Sequence, residues 1–247
     1  MRRYVGAVLT VLILAAIGIG VIATLGAANY QLAPISATGS GSSAGYKQVS
    51  LTLQTYPFDP YTDPAYIAAH VAGQSLNGEP YPQAIGDNAS WVKYWPSTAL
   101  TVPTHAIVTI TIQNYDSATP LLNPYYGVPR GTTDNTGAVT NAITVDGKTV
   151  NSVDPNNTSH TFTIHSIPQT GQDWLFVSVP ITGVDPTAPA DDAGMPNQPA
   201  VTQFSFVTPD RPGNYIWQCF DPCGSGYNGF GGPMSTRGYM SGTLTVQ

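Results

Sequence analysis

Charged side chains are scarce in this sequence, since lysine, arginine, aspartate and glutamate together make up only 9% of 247 residues. Glu79 is the only glutamate, histidine occurs four times, and the formal net charge is −6. This balance excludes a basic surface that could neutralise the phosphates of a nucleic acid. We therefore expect no nucleic-acid partner.

Catalytic motifs are lacking as well. The sequence has no Gly-x-Ser-x-Gly or His-Glu-x-x-His motif and no glycine-rich phosphate loop, and a pair of glutamates is impossible with only one. Hydrophobic residues make up 42% of the chain, which is enough to bury the core of one domain. The composition thus favours a binding or accessory protein over a self-sufficient enzyme.

One long apolar run stands at the N-terminus. Arg2 and Arg3 precede an uncharged stretch from about residue 4 to residue 28. A run of this length can span a bilayer, and it is longer than the apolar region of about 7–15 residues in most cleaved signal peptides. We predict a retained single transmembrane helix within residues 1–29, with the C-terminal domain on the extracytoplasmic side of the cell membrane. A cleaved signal peptide is the alternative, and it also places the rest of the chain outside the cytoplasm.

The remaining chain is predicted to be all-β. Serine, glycine and alanine dominate residues 36–45, which is typical of a flexible tether, so we place a linker at 30–46 and a folded domain at 47–247. Residues 56–103 are irregular, with one possible short helix at 64–72. Alternation and turn residues predict a Greek-key β-sandwich of seven or eight short strands, at 48–54, 105–113, 142–145, 148–150, 160–165, 203–207, 214–219 and 242–246, with a further segment at 174–179.

The side chains suited to bind a soft metal are few and lie close to predicted strands. Both cysteines, Cys219 and Cys223, follow the strand at 214–219, and Met234 and Met240 come before the last strand. His160 shares one face of its strand with apolar side chains. Imidazole, thiolate and thioether together are the ligands that select copper.

Three segments, 159–162, 212–219 and 240–246, resemble the cupredoxin superfamily. Within them, the Cys-Phe-Asp-Pro-Cys-Gly segment at 219–224 resembles the paired-cysteine loop of the dinuclear copper domain in cytochrome c oxidase subunit II. A single N-terminal span followed by an extracytoplasmic domain also resembles the sulfocyanin-type, membrane-anchored blue copper proteins.

This resemblance implies a copper site and a function. His160 matches the early histidine ligand, Cys219 and Cys223 match the bridging cysteines, and Asp221 matches a residue that offers its backbone carbonyl. Met240 matches the axial methionine, with Met234 as the second choice. The implied function is a copper-dependent electron carrier or an oxidase-associated subunit, with a respiratory partner such as a terminal oxidase or a cytochrome.

One expected ligand is missing. The family places a second histidine four residues after the second cysteine, where this chain has Tyr227. His70, His105 or His165 could replace it only by folding back. In an oxidising compartment the two cysteines could instead form a Cys219–Cys223 disulfide in a copper-free accessory or interaction subunit. The sequence leaves both alternatives open, together with the number of copper ions.

Overall fold

The computed structural model describes residues 34–57, 92–167, 169–190, 195–221, 233–234 and 237–247. All of them belong to one compact unit, Gln31–Gln247. Within the described residues the regular elements are thirteen strands and two short 3-10 turns, Pro124–Gly127 and Pro155–Asn157. The strands form two sheets.

The first sheet has six strands: β1 (Ile35–Ser36), β5 (Ala99–Val102), β9 (Thr158–Ser166), β10 (Phe176–Thr182), β12 (Gly213–Gln218) and β13 (Ser241–Val246). Their spatial order is β1-β5-β13-β12-β9-β10. The pairs β1/β5 and β5/β13 are parallel, and the others are antiparallel.

The second sheet has seven strands: β2 (Thr38–Ser43), β3 (Tyr46–Tyr56), β4 (Lys93–Trp95), β6 (Ala106–Asn114), β7 (Ile143–Val145), β8 (Lys148–Val150) and β11 (Ala200–Val207). The order is β2-β3-β6-β11-β7-β8, and β4 pairs with β3. β6 lies at the centre because its β-branched residues suit a strand that is paired on both sides and largely buried.

Side chains from both sheets form one hydrophobic core. Phe162 and Trp217 come from the first sheet, Ile110 and Phe204 come from the second, and all four are buried in the same cluster. The prediction of an all-β, two-sheet protein is therefore confirmed. Each predicted strand overlaps an observed one, and Asp146 and Gly147 form the predicted hairpin turn with positive φ angles of 46° and 81°.

The ordered domain begins earlier than predicted. Residues 35–43 fall in the segment expected to be a flexible linker, yet they form β1 and β2. These strands contribute little apolar surface, and backbone pairing with β5 and β3 positions them. Composition alone therefore placed the domain boundary too late.

Some predictions lie outside the described residues, namely the anchor at 1–29 and the short helix at 64–72, which contains His70. In the part of the chain that the structure describes, no helix has the length and hydrophobicity needed to cross a membrane.

Candidate metal centre

The ends of three strands meet at one end of the six-stranded sheet. Cys219 directly follows β12 and Met240 directly precedes β13, and the adjacent residues Gln218 and Ser241 are paired. His160 lies near the start of β9, which runs antiparallel to β12. The antiparallel pairing therefore brings together three predicted ligands that are far apart in the sequence.

The Cys219 side chain is fully buried and has defined hydrogen bonds. The backbone N–H of Thr161 donates to its sulfur at 3.3 Å, and its thiol donates to the backbone carbonyl of Asp221 at 3.4 Å. The backbone N–H of Cys219 donates to the carbonyl of Met240 at 2.9 Å. The sulfur is thus held by backbone groups on two sides.

His160 connects this sulfur to a carboxylate. Its side chain is only 3% exposed, and Nε2 lies 3.0 Å from Oδ2 of Asp116. Burial disfavours the charged imidazolium form and lowers the pKa of His160, but hydrogen bonds to Asp116 and Cys219 outweigh burial and raise this pKa to about 10. A partly exposed carboxylate, a buried imidazole and a buried sulfur therefore follow one another in this part of the structure.

The two methionines are buried in the same cluster as Cys219. Met240 is fully buried and Met234 is 3% exposed. The N–H of Met240 donates to the carbonyl of Pro233 at 3.0 Å, which ties the segment carrying Met234 to the start of β13. Both methionines therefore belong to the hydrophobic core that also contains Cys219.

Asp221 contributes a second, unusual carboxylate. It is fully buried, and in the described structure neither of its side-chain oxygens has a hydrogen-bond partner. Burial and the neighbouring Cys219 raise its pKa to about 7, while His160 acts in the opposite direction. A buried, unpartnered carboxylate is costly and calls for a physical explanation.

The other histidines lie elsewhere. His105 precedes β6 at the end opposite Asp116, and its side chain is 52% exposed. His165 pairs with Ile216 and packs against Phe220, which continues the alternation of β12 on the opposite face from Cys219. Neither histidine supplies the missing imidazole, and the expectation that His165 faces away from the site is confirmed.

The remaining predicted ligand, Cys223, lies outside the described residues, as do Tyr227 and His70. Within the described ranges, no three histidine, cysteine, aspartate or glutamate side chains are grouped closely enough to hold a metal ion by themselves. A metal centre built from the described residues must therefore include a methionine or a backbone carbonyl.

Sequence reasoning missed Asp116. It follows β6 by two residues in an Asn-Tyr-Asp-Ser segment that resembles an ordinary polar strand end. Nothing in the local pattern indicates a contact with His160, because that contact depends on how the loop after β6 packs against β10. The bond from the Asn114 side chain to the carbonyl of Thr182 shows this packing.

The Asp116, His160 and Cys219 chain has the chemical order of a cysteine hydrolase triad, in which a carboxylate orients an imidazole beside a thiol. Such a nucleophile must be reachable by its substrate. Here the Cys219 side chain is fully buried and that of His160 is 3% exposed, so the arrangement is better suited to holding a buried ligand than to hydrolysis.

Aromatic residues pack in the core next to the site. The Trp217 and Phe162 rings, two positions along from Cys219 and His160, stack with centroids 4.5 Å apart. Tyr94 packs edge-on against Trp217 at 4.9 Å. The indole N–H of Trp217 donates to the carbonyl of Thr98 at 3.0 Å, which fixes the ring in the core. The strands that carry His160 and Cys219 are therefore held in place by packed aromatic rings.

An open groove of about 760 Å³ lies beside the loop after β6, and its lining includes Asp146 and Asp185 but no histidine, cysteine or methionine. Oδ1 of Asp146 accepts the N–H of Val201, and Oδ1 of Asp185 accepts from the backbone and hydroxyl of Thr187. These carboxylates brace loops, so the groove offers no competing soft-metal centre.

No protein-family model matches the chain, and a search of curated proteins finds no match. Among solved structures, rusticyanin from Thiobacillus ferrooxidans is similar with a TM-score of 0.32 and 13% identity, over 92% of each chain. Reduced rusticyanin gives a TM-score of 0.30 and 11% identity, over 92% of this chain and 94% of that one.

A multicopper oxidase gives a TM-score of 0.28 and 8% identity, over 81% of this chain and 44% of that one. Rusticyanin is a copper protein. At such low TM-scores they do not establish what this chain does, and the site is interpreted from its own residues.

Proposed function

We propose that this chain is a copper-binding electron-transfer protein of the cupredoxin type. Among the described residues, His160, Cys219 and Met240 are the proposed ligands. The observation that carries the proposal is the buried placement of His160 and Cys219 at the ends of paired strands, where the N–H of Thr161, the residue after His160, donates to the Cys219 sulfur at 3.3 Å. Cys223 and Met234 are further candidate ligands.

The donor set fits copper. Thiolate, thioether and imidazole are soft or borderline ligands that favour copper over magnesium or calcium. The backbone N–H of Thr161 points at the Cys219 sulfur and would stabilise its thiolate form. The Asp221 carbonyl lies on another side of the same sulfur, so backbone groups contribute to its polar surroundings on two sides.

Bound copper would supply one-electron redox chemistry in this site. The chain would contribute a fixed geometry, because His160 and Cys219 lie on paired strands above the stacked rings of Phe162 and Trp217. Burial excludes water from the thiol and the imidazole. A site that is held rigidly and kept dry reorganises little when its charge changes, which suits electron transfer.

We also propose that residues 1–29 anchor the protein in the cell membrane, with the β-sandwich on the extracytoplasmic side. The uncharged run after Arg2 and Arg3 supports this location. A respiratory partner, such as a terminal oxidase or a cytochrome, is proposed from the resemblance to cytochrome c oxidase subunit II and the sulfocyanins.

A copper-free accessory subunit with a Cys219–Cys223 disulfide is the second candidate. It is favoured because the described residues hold no group of three histidine, cysteine, aspartate or glutamate ligands. Tyr227 also stands where the family has a histidine. The two candidates differ in the state of the cysteines and in copper binding.

Copper titration of the reduced protein, followed by optical absorption and EPR, tests the first candidate. We expect copper to bind with a thiolate charge-transfer band that is lost in Cys219→Ser and His160→Gln. His105→Gln is the matched control, because this histidine lies outside the site, and it should leave the band unchanged.

Equal spectra for His160→Gln and His105→Gln would contradict the proposed ligand set. A protein that binds no copper after reduction, and that shows no reactive thiol when denatured without a reducing agent, would support the disulfide-containing accessory subunit instead.

A further inference from the structure

We infer that Asp116 is the positioning residue of the metal centre: it holds the His160 ring by Nε2, so that Nδ1 is the nitrogen directed to the metal. This inference rests on the proposed function. It goes beyond the predicted ligand set, because Asp116 follows β6 of the seven-stranded sheet. His160 and Cys219, in contrast, lie in or next to strands of the six-stranded sheet.

The two oxygens of Asp116 have separate contacts. Oδ1 accepts the backbone N–H of Ser117 at 2.8 Å, and Oδ2 lies 3.0 Å from Nε2 of His160. The carboxylate is therefore fixed by its own loop on one side and faces the imidazole on the other. Its side chain is 20% exposed, which leaves it only partly screened by solvent.

The backbone of Asp116 is held as firmly. Its carbonyl accepts from the Asn114 side chain at 3.0 Å and from the N–H of Val184 at 2.9 Å. The same Asn114 amide donates to the carbonyl of Thr182 at 2.9 Å, which ties the loop to the end of β10. Because Ile181 in β10 pairs with His160, the loop and the histidine share one rigid frame.

The chemistry of imidazole explains why this contact matters. A neutral imidazole has one N–H donor and one nitrogen lone pair, and only the lone pair can bind a metal. Donation of the Nε2 proton to a carboxylate fixes the ring and the tautomer and makes the other nitrogen a better ligand. Because Nε2 of His160 lies 3.0 Å from Oδ2 of Asp116, Nδ1 is the ring nitrogen left for a metal.

The exposed histidine provides a matched comparison. His105 Nδ1 lies 2.6 Å from Oδ1 of Asp210, but these side chains are 52% and 79% exposed. No sulfur ligand accompanies that pair among its described contacts. Asp210→Asn therefore removes the same kind of carboxylate–histidine contact without touching the proposed centre.

The first experiment uses the full-length, metal-free protein with ¹⁵N-labelled histidine and NMR. We expect Nε2 of His160 to carry a proton whose exchange with solvent is slow, and Asp116→Asn to accelerate this exchange by about tenfold or more. Asp210→Asn should leave it unchanged. A wild-type Nε2 without a proton would overturn the inference, and this measurement does not depend on the folding of any variant.

The second experiment measures Cu(II) affinity and reduction potential. Loss of a group that orients a ligating histidine typically weakens metal binding by about 10–100-fold, and we expect this for Asp116→Asn but not for Asp210→Asn. The reduction potential should rise in Asp116→Asn, because a nearby negative charge favours the more positively charged Cu(II) state.

Wild-type affinity and potential in folded Asp116→Asn would overturn the inference. If the wild-type protein binds no copper, the proposed function fails, whereas Nε2 exchange still decides whether Asp116 orients His160.

Discussion

The central strand β6 has an aspartate–histidine pair near each end, and the two pairs differ mainly in burial. Asp116 follows β6 and contacts His160, whereas His105 precedes β6 and contacts Asp210. The histidine side chains are 3% and 52% exposed, respectively. Similar chemical groups at similar distances therefore stand in two very different environments.

The difference shows what the surroundings add to a contact. At the exposed end, His105 stacks on Tyr46 with centroids 4.6 Å apart, and solvent can replace either partner. At the buried end, His160 has lost its water and depends on Asp116 and Cys219. Exposed ion pairs contribute little to stability, whereas removal of one partner from a buried pair is costly.

The largest effect is expected from the two histidines. His160→Ala should lower the free energy of unfolding of the metal-free protein by about 3–5 kcal/mol, because it leaves a cavity and removes the partner of Asp116. His105→Ala should lower it by less than about 1 kcal/mol. Urea unfolding at pH 7 measures both, and equal losses would mean that burial does not distinguish the two ends.

A glycine substitution tests whether the buried end is also the more tightly packed one. A Cβ on Gly242 would lie 1.8 Å from the carbonyl oxygen of Thr98, the group that accepts the indole N–H of Trp217. We expect Gly242→Ala to cost about 3 kcal/mol through overpacking.

The matched control is Gly45, in the turn before Tyr46 at the exposed end. A Cβ there meets nothing within 4 Å, although φ is +89°. Gly45→Ala should cost about 1–2 kcal/mol from its backbone conformation alone. Thermal denaturation compares the two variants, and a Gly242→Ala protein as stable as Gly45→Ala would contradict the close packing at Thr98.

Asp221, at the buried end, should make the stability of the folded protein depend on pH. Its pKa is raised to about 7 by burial and by Cys219, against about 3.9 in an unfolded chain. The folded state therefore loses stability as the pH rises from about 4 to about 7, because the buried carboxyl must ionise.

Asp221→Asn should accordingly stabilise the metal-free protein by about 1 kcal/mol or more at pH 8 and by much less at pH 4. The exposed Asp210→Asn is the control, and we expect it to change stability little at either pH. Urea unfolding at both pH values provides the measurement. A stabilisation that does not depend on pH would contradict the raised pKa.

The smallest effect is expected from the ion pair of Asp173 with Arg211. Arg211 directly follows Asp210 in the chain. The hydrogen bonds and charge of Arg211 lower the pKa of Asp173. Its contribution is therefore present above about pH 4 and is lost as the pH falls through the lowered pKa. Asp173→Asn should remove only a slight part of the acid sensitivity between pH 5 and pH 2, as followed by circular dichroism. A large change would show that solvent screens the Asp173–Arg211 pair less than the exposure of these two side chains indicates.

The sequence predicts the strands of this protein better than its contacts. Alternation in β6 and β12 reflects local burial, whereas β9 is buried at nearly every position, and the alternation of β12 also places Cys219 at a strand end beside a buried face. The partnership of His160 with Cys219 required the resemblance to a known family. Asp116 could not be found in either way, because its contact depends on long-range packing between the loop after β6 and β10.

The N-terminal strands were missed for a similar reason. β1 and β2 are short or rich in serine and glycine, so their composition resembles that of a linker. Their strand geometry comes from the unpaired edges of β5 and β3, which are formed by other parts of the chain. Local propensity does not include such tertiary pairing.

Ala37 is the single residue between β1 in one sheet and β2 in the other, and its N–H donates to the carbonyl of Thr101 at 2.9 Å. The segment therefore connects the two sheets at one side of the sandwich and covers the edges of β5 and β3. Loss of this segment would leave the edges of β5 and β3 unpaired together and expose backbone groups that can pair with another molecule. The segment thus completes both sheets, and β1 and β2 are themselves their edge strands.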